Sequence, residues 1–144
     1  MMIWFDMDGT IADLYGVADW LPALIAEETR PYEIARGLGN LALIARLLKK
    51  VQANGHKVGI ISWTSKGGSD EYNARVATAK RAWLARHLPS VKWDEVRVVR
   101  YGTNKRTACG GGILFDDEKP NRETWGEGAH EPAEIVEVLK ALTR

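Results

Sequence analysis

Cysteine is nearly absent from this chain of 144 residues: Cys109 stands alone, which rules out an internal disulfide and points to a reducing compartment. Its neighbours Gly110, Gly111 and Gly112 supply neither a histidine nor a second thiol, so this stretch carries no zinc motif. Long apolar runs are missing too. None approaches the roughly 18 residues of a membrane span, and the short run before Asp6 lacks the basic leader and length of a secretory signal. The expected location is therefore cytoplasmic, with no membrane partner. Charge of one sign is also lacking: 20 basic against 19 acidic residues leave a formal net charge of +1, so no global field draws the chain to nucleic acid. Any partner has to be recognised locally.

What is present is a stretch at the amino terminus, Ile3-Trp4-Phe5-Asp6-Met7-Asp8-Gly9-Thr10, that reads as a short buried strand delivering two carboxylates. Two carboxylates placed together repel and resist desolvation, so an apolar lead into Asp-x-Asp asks for a cation nearby. The alternative is a turn that uses Asp and Gly for their conformational tolerance.

The rest of the chain alternates between two periodicities. Asp19 is positioned to cap a short helix over Trp20 to Glu27, and a loosely helical insertion spans about residues 14–40, broken at Pro31, Gly37 and Gly39. Leu41, Ile44, Leu47, Leu48 and Val51 recur at helical spacing and stop at Asn54-Gly55. Val58 to Ile61 reads as a buried strand ending in Ser62-Trp63-Thr64-Ser65. A helix capped by Ser69 or Asp70 follows, with Tyr72, Val76, Ala79 and Trp83 on one face. Val96 to Tyr101 is a third strand, after which come Lys105 and Arg106. Gly112 to Phe115 is a fourth, ending in Asp116-Asp117, and a helix from about Pro132 carries Ile135, Val138, Leu139 and Leu142 inward.

Strands alternating with helices predict a single α/β domain over residues 1–144, a Rossmann-like parallel sheet flanked by helices. Ligands of such sheets sit beyond the carboxyl ends of the strands. Asp6/Asp8, Ser62/Thr64, Lys105 and Asp116/Asp117 all fall there.

In that order these residues resemble the four motifs of the haloacid dehalogenase (HAD) superfamily, and the likeness runs from Ile3 to about Asn121, in the manner of small phage-type and bacterial HAD-like phosphatases. The resemblance implies a HAD-like fold with a small helical cap at about 14–40 and a Mg2+-dependent phosphohydrolase. Asp6 would be the nucleophile, forming an aspartyl-phosphate, and Asp8 the acid and then the base. It further implies Mg2+ held by Asp6, the Asp8 carbonyl and Asp116, with Asp117 and Thr10 behind them, Asp117 either holding a water of the ion or orienting Lys105. Ser62, Trp63, Gly9 and Lys105 would surround the phosphate. Lys105 is closer to Asp116 than in many members, which leaves Arg106 as an alternative for the same role.

Asp8 favours phosphate-ester hydrolysis, because dehalogenases need no second carboxylate. The leading substrate expectation is a nucleotide; a polynucleotide end and a sugar phosphate are the rivals, and a non-enzymatic metal- or phosphate-binding module is the reading from another class. The small insertion suggests an open site on a monomer or homodimer. Trp20 and Trp125 are expected to pack, Trp63 either to pack or to stack on a substrate ring, and His56 and His130 to lie in surface turns.

Overall fold

The computed structural model describes residues 1–144. A central sheet holds β1 (Met2–Phe5), β4 (Lys57–Trp63), β5 (Glu95–Val99), β6 (Ile113–Phe115) and β7 (Ala129–His130) in the order β5-β4-β1-β6-β7, with every pairing parallel. Parallel strands need crossovers, and four helices supply them: α3 (Leu41–Ala53), α4 (Asp70–His87), α5 (Lys105–Cys109) and α6 (Lys119–Trp125), while α7 (Ile135–Leu142) follows the last strand. This is a Rossmann-like α/β fold, a parallel sheet flanked by helices.

Side chains of β1 alternate between two cores, as strand geometry requires. Ile3 and Phe5 join Val58, Ile60, Ile113 and Phe115 on one face, packed on Leu47 and Leu48 of α3, Leu139 of α7 and Trp83 of α4. Trp4 faces the other way, onto Ile61, Leu114 and Trp125. Burial on both faces explains why β1, β4 and β6 read as continuous apolar runs. Trp125 thus packs, and its indole N–H donates to Gly112 O at 3.0 Å.

Between β1 and α3 a second, two-stranded sheet pairs β2 (Ala12–Asp13) antiparallel with β3 (Arg36–Gly37). It closes the base of a segment carrying a short 3-10 turn (Leu14–Gly16), α1 (Trp20–Ile25) and α2 (Arg30–Ile34). Leu14 and Tyr32 of this segment pack on Tyr72, Val76 and Ala79 of α4. Asp19 precedes α1 but makes no capping bond; its carboxylate pairs with Arg30 instead. The helix ends at Ile25, two residues before the expected Glu27, where the backbone turns left-handed at Glu27 with φ 57°.

The third strand ends at Val99 rather than Tyr101, because Thr103 N–H donates back to Arg100 O and closes a turn. Helix α6 and strand β7 have no periodic signal: one is seven residues with Pro120 in its first turn, the other two residues long. His130 lies in β7, half-buried, its Nδ1 2.9 Å from Glu134 Oε2. His56 is also half-buried, with Nδ1 unpartnered. No helix is long and apolar enough to cross a membrane.

Candidate active site

The carboxyl end of β1 delivers Asp6, and Asp6 N–H still donates to Phe115 O at 2.9 Å, so the nucleophile candidate is anchored to the neighbouring strand. The chain then leaves the sheet. Thr10, Ile11 and Ala12 all donate their N–H groups to Met7 O at 3.0 Å, and Gly9, at φ 81°, allows this tight turn. Gly9 N–H donates to Ala12 O at 2.8 Å, and a Cβ at this position would lie 2.3 Å from Asp117 Oδ2. Gly9 therefore makes room for a carboxylate, its own N–H being bound within the turn.

Asp6 is held from two sides. Thr10 Oγ1 donates to Asp6 Oδ2 at 3.1 Å, and Lys105 Nζ donates to Asp6 Oδ1 at 2.9 Å. The same ammonium donates to Asp116 Oδ2 at 2.7 Å. Lys105 reaches both because it opens α5, whose N-terminus is capped by Asn104 Oδ1 accepting from Thr107 N–H at 2.9 Å. Arg106 points elsewhere: its guanidinium donates to Trp125 O at 2.8 Å. Lys105, and not Arg106, enters the site.

Asp6, Asp116 and Asp117 each offer a carboxylate oxygen within 4.8 Å of the others. Burial, then the neighbouring Asp6 charge, pushes Asp116 and Asp117 up from the ordinary carboxylate range. Burial by itself would lower Lys105, but the Asp6 and Asp116 carboxylates outweigh it and hold the ammonium above its usual value. Three crowded hard oxygen donors against one lysine leave negative charge to be neutralised, and that donor set suits Mg2+.

Asp8 lies apart from this cluster. Its Oδ2 accepts from Lys80 Nζ at 2.8 Å, and no side-chain hydrogen bond is made to its Oδ1. Burial raises the Asp8 pKa, and Lys80 opposes that shift. Lys80 also donates to Ser62 Oγ at 2.7 Å and to Trp63 O at 2.8 Å. Ser62 is thus buried against a lysine, while Trp63, Thr64, Ser65 and Lys66 line the open space beyond it. Trp63 donates its indole N–H to Thr103 O at 2.9 Å and meets Tyr101 edge to face at 4.8 Å.

Sequence reasoning missed Lys80, although a signal was present. It falls four residues after Val76 and three before Trp83, on the inward stripe of α4, where an unpaired lysine would be costly.

Above the carboxylates opens a cleft of about 560 Å³. Its floor includes Asp6, Asp8, Lys105 and Asp117. One wall is Tyr15, Trp20, Leu24 and Tyr32 of the segment between β2 and β3; the other is Trp63 and Tyr101. Tyr15 and Trp20 meet edge to face at 4.9 Å. Trp20, expected only to pack, faces this space.

Fold and site together define a Rossmann-like α/β chain with a carboxylate-rich site at the carboxyl ends of β1 and β6. Among solved structures it is similar to D,D-heptose 1,7-bisphosphate phosphatase from Burkholderia thailandensis, with a TM-score of 0.55 and 12% identity over 96% of this chain and 97% of that one. No protein-family model matches the chain, and no curated protein does.

Proposed function

We propose that this chain is a Mg2+-dependent phosphatase that hydrolyses a phosphate monoester through Asp6, with a nucleotide as the preferred substrate. The observation that carries the reading is the division of four carboxylates into two groups: Asp6 clusters with Asp116, Asp117 and Lys105, while Asp8 stands separately on Lys80. That division suits the two jobs of phosphoryl transfer, attack and proton movement.

In the first step an Asp6 carboxylate oxygen bonds to phosphorus as the ester P–O bond breaks, and Asp8 gives its proton to the departing alkoxide. In the second, Asp8 takes a proton from water, the water oxygen bonds to phosphorus, and the Asp6–phosphorus link breaks to release inorganic phosphate. Lys105 offsets the repulsion between carboxylate and phosphate and holds Asp6 in place. Asp6, Asp116 and Asp117 would hold Mg2+, which supplies charge neutralisation at the phosphate.

The aromatic walls favour a nucleotide, because rings that face a cleft offer stacking and apolar surface to a planar base. A sugar phosphate is the second reading, supported by the likeness in fold to D,D-heptose 1,7-bisphosphate phosphatase. Purified protein with Mg2+ is expected to hydrolyse an aryl phosphate, to stop with chelator, and to lose at least a thousandfold in Asp6→Asn. Activity that survives both treatments would sink the mechanism. A higher kcat/KM for nucleoside 5′-monophosphates than for ribose 5-phosphate is expected; the reverse order would favour the sugar-phosphate reading.

A further inference from the structure

Every donor of Lys80 is engaged inside the protein, although the side chain is only 1% exposed. The ammonium holds Asp8 Oδ2, Ser62 Oγ and Trp63 O at 2.7–2.8 Å, and lies 5.0 Å from the centre of the Tyr32 ring. Its contacts therefore join four parts of the chain: α4, the end of β4, the turn after β1, and α2. A buried ammonium is tolerated only when its partners are in place, and here they are. Asp6 and Asp116 share Lys105, whereas the Asp8 carboxylate has only Lys80 among side-chain partners.

We infer that Lys80 is a positioning residue: it fixes the Asp8 carboxylate through Oδ2, so that Oδ1 is left for the leaving-group oxygen, and Tyr32 ties that arrangement to the segment over the cleft. Resting on the phosphatase reading above, this assigns Lys80 to proton delivery and leaves Asp6 and its cation cluster to Lys105. Ammonium geometry matters here. Three compact donors at nearly equal distances suit lysine, and the planar fork of arginine cannot reproduce them.

The test uses leaving groups. kcat/KM covers the steps up to departure of the leaving group, and a general acid matters most when that group is a poor one. An alkyl phosphate and p-nitrophenyl phosphate are compared in wild type, Lys80→Met, Lys80→Arg, Asp8→Asn and the double variant Lys80→Met/Asp8→Asn. In Lys80→Met, kcat/KM for the alkyl ester is expected to fall at least tenfold further than that for the aryl ester. Asp8→Asn is expected to give the same pattern, and the double variant to be no worse than Asp8→Asn on the alkyl ester.

Equal losses on both esters, or losses that multiply in the double variant, would overturn the assignment and make Lys80 a structural tie. If Lys80→Met does not fold, Lys80→Arg carries the test: a smaller shift of the same ratio supports the role, and an unchanged ratio overturns it. A wild-type protein inactive on both esters, with Mg2+ bound, would instead be a failure of the phosphatase reading.

Discussion

At the scale of single residues, the site is organised by two buried lysines that divide the carboxylates between them. Lys105 is the shared partner of Asp6 and Asp116, and all three side chains are at most 10% exposed. Removing one member of a buried ionic group leaves the others uncompensated, at a cost of about 3–5 kcal/mol. Lys105→Met is therefore expected to lower unfolding stability by that order in chelator at neutral pH, and to abolish turnover. Much of the stability should return in Lys105→Met/Asp6→Asn, where one orphaned charge is gone; urea unfolding of both variants checks this, and equal stabilities would contradict the pairing. Cys109 has no comparable part: burial pushes its thiol up to about 11, away from nucleophilic character at neutral pH. Asp6, Asp8, Lys105, Asp116 and Asp117 were legible in the sequence because each follows an apolar run or its turn. Lys80 was hidden because a lysine inside a helix reads as solvated until its neighbours place it on the inward stripe.

Among the elements, the turn from α5 into β6 sets the distance between Lys105 and Asp116. Gly110, Gly111 and Gly112 all have positive φ, and they reverse the chain within three residues. At Gly112 the constraint is also steric, since a Cβ there would lie 2.3 Å from Met2 O, a backbone atom of β1 that cannot swing aside. Gly112→Ala is expected to destabilise by about 3 kcal/mol or more, through left-handed strain and forced separation of β6 from β1. Because Asp116 follows β6, activity should fall in the same variant; chemical denaturation alongside a turnover assay reads both, and wild-type stability would refute the packing argument. The long elements were visible in sequence because α3, β1, β4 and α7 carry strong periodicity or apolar runs. The pairs β2–β3 and β7 were not, since two-residue strands have no period to detect, and α6 begins at Lys119-Pro120, a helix start with no apolar stripe behind it.

For the molecule as a whole, the crowding of Asp6, Asp116 and Asp117 ties folding to pH and, on the reading that they hold a cation, to Mg2+. Asp116 and Asp117 are pushed up by burial and by Asp6, Asp117 to about 8. A carboxyl whose folded pKa lies above its unfolded value binds protons more tightly in the folded chain. Between the ordinary carboxylate range and about pH 8 the folded state then holds more protons than the unfolded one, so stability falls as pH rises. A divalent cation that binds only the folded cluster acts in the opposite sense, adding about 2.7 kcal/mol at a hundred times its dissociation constant. In chelator, the midpoint of thermal unfolding is accordingly expected to drop from pH 5 to pH 8. Saturating Mg2+ should raise it by several degrees at pH 8 and much less at pH 5, where protons already occupy the oxygens. Asp116→Asn should remove most of the Mg2+ effect while making the chelator profile flatter, because one of the crowded charges is absent. Scanning calorimetry across this grid of pH and metal decides the matter. A midpoint that ignores Mg2+ at pH 8 would mean that Asp6, Asp116 and Asp117 are not a cation site, and the division of labour between the two lysines would then have to be explained without one.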